Sequence, residues 1–143
     1  MTTDNWLAIS AGATFLLALA AFWAILQNYK FRKEDRRIQA LYRTRSWAEK
    51  SIQLLTIAVP LQEKEAMEAL KTNIQIIRAE SLSALADAEV LGGEVKHKVQ
   101  RAVHNFNNFT GKAESANQST DFEVLLRGII GDFCDVINSA SEL

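Results

Sequence analysis

Trp6 to Leu26 is a run of 21 residues without one charge, and nothing else in the chain constrains its fold so strongly. As a helix rising about 1.5 Å per residue, such a run reaches roughly 31 Å, the hydrocarbon thickness of a bilayer. One transmembrane helix is the expectation. Trp6 near its start, and Trp23 with Tyr29 near its end, stand where aromatic rings settle at the two headgroup levels. A cleaved signal peptide would carry a basic segment before a shorter apolar one, with a small-residue cleavage site after it. Here only Asp4 precedes the run, which continues into Gln27-Asn28-Tyr29-Lys30. A buried helix of a soluble core is the weaker rival, because apolar runs of that kind span only about 10–14 residues. Residues 1–29 therefore read as an uncleaved anchor.

Charge then gives an orientation. Residues 30–50 hold eight basic residues, Lys30, Arg32, Lys33, Arg36, Arg37, Arg43, Arg45 and Lys50, against Glu34, Asp35 and Glu49. The positive-inside rule puts this side, and everything after it, in the cytoplasm, with the short N-terminus outside. Residues 51–143 carry 8 basic and 13 acidic residues, so a whole-chain charge of −1 conceals two oppositely charged segments. The acidic remainder would repel phosphate, which argues against nucleic acid as a partner. The basic segment has two readings, contact with anionic lipid headgroups or a topology signal alone. Orientation by itself accounts for the charges.

The 143 residues leave about 110 beyond the anchor, enough for one modest core. Helical spacing dominates there, with no strand-like alternation. Ile38, Leu41/Tyr42, Ala48, Ile52 and Leu55 suggest a first helix over 30–58, stopped before Pro60. A second over 61–91 carries Met67, Leu70, Ile74, Ile77, Ala84/Leu85, Ala88 and Leu91, and ends at Gly92-Gly93. A third over 94–109 buries Val95, Val99, Ala102/Val103 and Phe106, followed by a polar loop from Thr110 to Ser119. Thr120 and Glu123 fit a capping box opening a fourth helix over 121–141, with Phe122, Leu125, Ile129, Phe133, Val136/Ile137 and Ala140 on its stripe. The expectation is an all-α chain, one membrane helix continuing into a cytoplasmic domain of residues 30–143. With a hairpin at Pro60 this domain is a four-helix bundle; with only a kink, a long stalk that needs a partner chain.

Chemistry is sparse. Glu94 and His97 form a Glu-x-x-His pair on a helix, the arrangement by which di-iron bundles bring a carboxylate and an imidazole to one metal. The only other histidine, His104, is preceded by Arg101 instead of a carboxylate, so one chain does not complete such a site. Glu94 is equally accounted for as an acidic residue in a first helical turn. Arg101 and His104 also suggest a general acid/base pair, but no polar constellation adjoins them. Cys134, beside Phe133, reads as a small core residue. Gly128 and Gly131, three apart inside the last helix, each cost about 1 kcal/mol relative to alanine. Close approach of another helix would account for them, as would tolerance within a well-packed bundle. Asn108-Phe109-Thr110 and Asn117-Gln118-Ser119 match the N-glycosylation pattern, yet fall on the expected cytoplasmic side. No Gly-rich phosphate loop, Cys-x-x-Cys or Gly-x-Ser-x-Gly occurs, which argues against nucleotide binding, zinc and hydrolase chemistry.

The stretch Phe22-Trp23-Ala24-Ile25-Leu26-Gln27-Asn28-Tyr29-Lys30-Phe31-Arg32-Lys33-Glu34-Asp35-Arg36-Arg37 resembles the membrane-exit segment of small, uncharacterised prokaryotic proteins with one N-terminal span and a helical cytoplasmic tail. The resemblance implies a bacterial or archaeal inner membrane and this topology, with no activity or ligand to carry over. The leading expectation is a non-enzymatic docking or accessory subunit, whose partners are the bilayer and either another protein or a second copy of the chain. No catalytic residue, metal or cofactor is assigned. The alternatives are a metal-dependent oxidoreductase completed by homodimerisation through Glu94 and His97, and a lytic or pore-forming membrane protein.

Overall fold

The structure, a computed structural model, describes residues 3–115 and 122–142. Among them the chain forms four helices and no strand: α1 (Thr3–Thr56), α2 (Glu63–Leu91), α3 (Gly93–Ser115) and α4 (Phe122–Ser141). It divides into two compact units, Met1–Arg36 and Arg37–Leu143, with the division falling inside α1.

The first unit is helix from Thr3 onward. Every side chain described in it is exposed. The most apolar 18-residue window of α1 has a mean hydropathy of 2.1 with none of it buried. α1 is thus a helix long and apolar enough, by length and composition, to cross a membrane.

The second unit is a four-helix bundle, and its topology follows from pairs that run in opposite directions along successive helices. Between α1 and α2, Asn73 donates to the Leu54 carbonyl at 3.1 Å, Lys50 pairs with Glu80, and Arg43 reaches Asp87 at 2.7 Å. Partner numbers rise on one helix as they fall on the other, so Pro60 marks a hairpin and not a kink. The turn is built from short-range bonds, Ala58 N–H to Leu55, Val59 N–H to Thr56 and Leu61 N–H to Ala58, at 3.1–3.2 Å. Each spans three residues, the tight pattern a chain adopts as a helix gives out before a residue with no N–H to donate.

Gly92 alone connects α2 and α3. Its N–H closes α2 on the Ala88 carbonyl at 2.8 Å, and its own carbonyl accepts from Lys96 N–H at 3.2 Å to open α3. It does so at φ 67° and ψ −165°, and Gly93 follows at φ 54°. Both are positive-φ conformations that a Cβ disfavours, and the first is essentially confined to glycine. Glu89 and Lys96, 2.7 Å apart, bracket this turn. Farther along, Arg78 donates to the Thr110 hydroxyl at 2.7 Å.

α3 runs to Ser115, past the end expected at 109. The polar loop expected from Thr110 is therefore helical as far as it is described through Ser115. Phe109 and Thr110 are both buried, and Thr110 is held between Arg78 and the Asn107 carbonyl, so packing continues beyond the expected stop. Thr120 of the expected capping box lies outside the described residues. Its intended partner, Glu123, accepts from Arg127 one turn on at 2.8–2.9 Å.

Phe133 of α4, fully buried, joins three helices. Its ring meets Trp47 of α1 edge-on at 5.0 Å and Phe106 of α3 edge-on at 6.2 Å, geometries favoured by the aromatic quadrupole. Leu70 and Ile77 of α2, with Val99, Leu126 and Val136, fill the remaining core.

Two sequence expectations about the core are corrected. On α1, Ile38 and Tyr42 are exposed, and the buried face passes through Ala40, Thr44, Trp47, Ala48, Ser51 and Leu55. The face is turned by roughly 80° from the apolar stripe, because small and hydroxyl residues occupy it. Ser51 satisfies its hydroxyl on the Trp47 carbonyl one turn back. On α4, Leu126 is buried where Leu125 was expected, and Cys134 is exposed. Position 134 lies well off the arc that carries Ile129, Phe133 and Val136 inward.

Candidate functional site

Glu94 and His97 lie on the exposed surface of α3's first turns. The Glu94 carboxylate stands 3.7 Å from the Lys98 ammonium, one turn on. No group of three or more His, Cys, Asp or Glu side chains able to hold a metal ion occurs among the described residues. Arg101 is drawn into the α3–α4 seam, 2.6 Å from Asp135 and 3.3 Å from Asp132, while His104 contacts Asn108 on its own helix at 3.0 Å. Asn105 donates to Asp132 at 2.7 Å and Lys98 sits 3.9 Å from Asp135. Of the four polar residues of α3 that looked most chemical in the sequence, only Arg101 ties α3 to α4.

Between α1 and α2 lies a groove of about 500 Å³ lined by Tyr42, Arg43, Trp47, Lys50, Glu80 and Asp87. Its charges are matched in pairs, Arg43 with Asp87 and Lys50 with Glu80. The buried Trp47 Nε1 and Thr44 Oγ1 have no hydrogen-bond partner among the described residues. Sequence reading missed this groove, since Trp47 falls off the apolar stripe that guided it.

The outer face of α4 is the least expected surface. Gly128 and Gly131 are both exposed, and a Cβ built on either meets no atom within 4 Å. Among the described residues no other element approaches them. On the helix they share a stripe with Val124, which is 67% exposed, and Leu125 flanks it. Gly128 also borders a groove of about 410 Å³ shared with Asn105, Asn108, Phe109 and Lys112 of α3. The surface is nearly free of side chains along its centre and rimmed by the Asn105 and Asn108 amides, the Lys112 cation and the Asp132 carboxylate.

In the first unit Trp6, Trp23 and Tyr29 are exposed, as are Lys30, Arg32, Lys33 and Arg36. Arg37, the first residue of the second unit, is exposed as well. No family model, curated protein or solved structure matches the chain.

Proposed function

We propose that this protein is a membrane-anchored docking subunit. Residues 1–29 hold it in a prokaryotic inner membrane with the N-terminus outside, and the bundle works on the cytoplasmic side. The anchor rests on the apolar run of α1, whose described side chains are all exposed, and on the basic residues that follow it. The docking role is supported chiefly by one observation, the open glycine pair on α4. Two interior helical glycines lower helix stability by about 1 kcal/mol each, and among the described residues no close packing repays that. A partner helix laid along Val124, Gly128 and Gly131 would approach the backbone closely, as helices do over small residues. The occupant is thus the helix of a protein partner, or of a second copy.

The test is a photo-crosslinking residue placed at Gly128, compared with the same residue at exposed Gln100 on α3, in native membranes at native expression. A discrete adduct from position 128, absent from position 100 and lost when Gly131→Leu is added, supports docking. An adduct of twice the chain mass makes the partner a second copy. Equal adducts from both positions, or none from either, contradict the proposal.

A further inference from the structure

Ion pairing is uneven along the chain: seven cations of the second unit sit beside carboxylates, while Arg37, Lys64 and Lys71 there form no ion pair among the described residues. In the bundle Arg43, Arg45, Lys50, Lys96, Lys98, Arg101 and Arg127 each lie within 4.0 Å of a carboxylate. Lys30, Arg32, Lys33 and Arg36 form no ion pair among the described residues, although Glu34 and Asp35 stand between them in the chain. Helix geometry explains how. At roughly 100° per residue, Arg32, Arg36, Lys33 and Lys30 follow one another across about 160° of the helix surface, and Glu34 and Asp35 occupy the remaining arc. Arg32 and Arg36 are like charges one turn apart, a spacing that destabilises an isolated helix. A topology signal needs only the number of positive charges on one side of the span. It does not require them to share a face, exposed and unneutralised.

We infer that Lys30, Arg32, Lys33 and Arg36 form a contact for the phosphates of anionic phospholipids, enriching those lipids beside the helix. This rests on reading residues 1–29 as a membrane anchor. Tyr29, 72% exposed, precedes the cations by one residue, and Trp23 by seven, so aromatic groups suited to the headgroup level immediately adjoin the charge. A charge at that level attracts anionic headgroups; Asp35 lies on the opposite arc, and Glu34 borders the Lys30 edge of the basic one. The contact is electrostatic and weakens as salt rises.

The test uses the full chain carrying Trp6→Phe, which leaves Trp23 as the exposed indole while Trp47 stays buried in the bundle. It is reconstituted in vesicles of phosphatidylcholine with one-fifth phosphatidylglycerol, acyl-brominated on one lipid or the other, and quenching of Trp23 reports which lipid lies beside it. Phosphatidylglycerol is expected to rise from one-fifth of the bulk to roughly half of the lipid beside Trp23, an about fivefold preference over phosphatidylcholine that is the worth of one well-placed cation near the surface. It should fall to the bulk fraction when Lys30, Arg32, Lys33 and Arg36 are all changed to Gln, and survive when the three that follow Lys30 are all Lys. Inorganic phosphate at constant ionic strength should leave the ratio unchanged; displacement by it would assign the site to free phosphate and overturn the inference. Equal quenching by both lipids in proportion to their abundance overturns the lipid contact and leaves the anchor standing. Absence of quenching by either overturns the anchor, and the contact with it.

Discussion

At the scale of single residues, two arginines in similar ion pairs differ in what they hold. Asp87 has a side chain only 9% exposed and depends on Arg43, whereas Arg127 and Glu123 are each 64% exposed. Arg43→Gln leaves a buried carboxylate without its cation and is expected to destabilise the bundle by about 1–3 kcal/mol. Arg127→Gln should change stability by less than about 1 kcal/mol, because water screens that pair. Guanidinium unfolding of the detergent-solubilised chain, followed by tryptophan fluorescence, distinguishes the two. By the same measurement Phe133→Ala should cost about 3–5 kcal/mol, since it opens a cavity where α1, α3 and α4 meet. Phe133 and Phe106 were legible as core in the sequence because large apolar residues have few other places to go. Trp47 and Thr44 were not, and neither was the exposure of Cys134. Small, hydroxyl and amphipathic residues are chemically at home on either side of a helix, so only packing decides for them.

At the scale of elements, glycines do opposite things in a connection and inside a helix. Gly92 joins α2 to α3 in a conformation reserved for glycine, so Gly92→Ala is expected to destabilise by about 1–3 kcal/mol. Gly128 and Gly131 sit in regular helix with open space around them, so Gly128→Ala and Gly131→Ala should each stabilise the isolated chain by about 0.5–1 kcal/mol. A thermal melt followed by circular dichroism orders all three. Stabilisation at 128 and 131 together with weakened docking would mean that these glycines are kept for a partner. Loss of stability there would mean an intrachain role and contradict the docking surface. Element ends were readable where the backbone itself was constrained, at Pro60 and at Gly92-Gly93. They were less readable at Thr110, where the side chain is polar but buried between Arg78 and Asn107. The inward face of α1 was misjudged because alanine, threonine and serine carry it, and periodicity in apolar residues is blind to them.

At the scale of the whole molecule, the sequence divides the chain by charge and hydropathy, and the structure divides it by compactness, at neighbouring points along α1. The all-α bundle was legible because four amphipathic stretches of helical period leave few alternative architectures. The α1–α2 hairpin was not, since Pro60 is compatible with a turn and with a kink until cross-helix pairs such as Lys50 with Glu80 choose between them. The face proposed for docking was legible only as two glycines. That they face outward is a property of the assembled bundle.

The most direct measurement uses the chain's single cysteine, Cys134, which α4 exposes. In intact cells a membrane-impermeant maleimide should leave Cys134 unlabelled and should react with it once the inner membrane is permeabilised. Thr3→Cys in a Cys134→Ser background should behave in reverse, reacting in intact cells. That pair of results is the one expected of a bundle anchored on the cytoplasmic side with its N-terminus outside. Labelling of Cys134 in intact cells, or recovery of the protein in the soluble fraction, would contradict it.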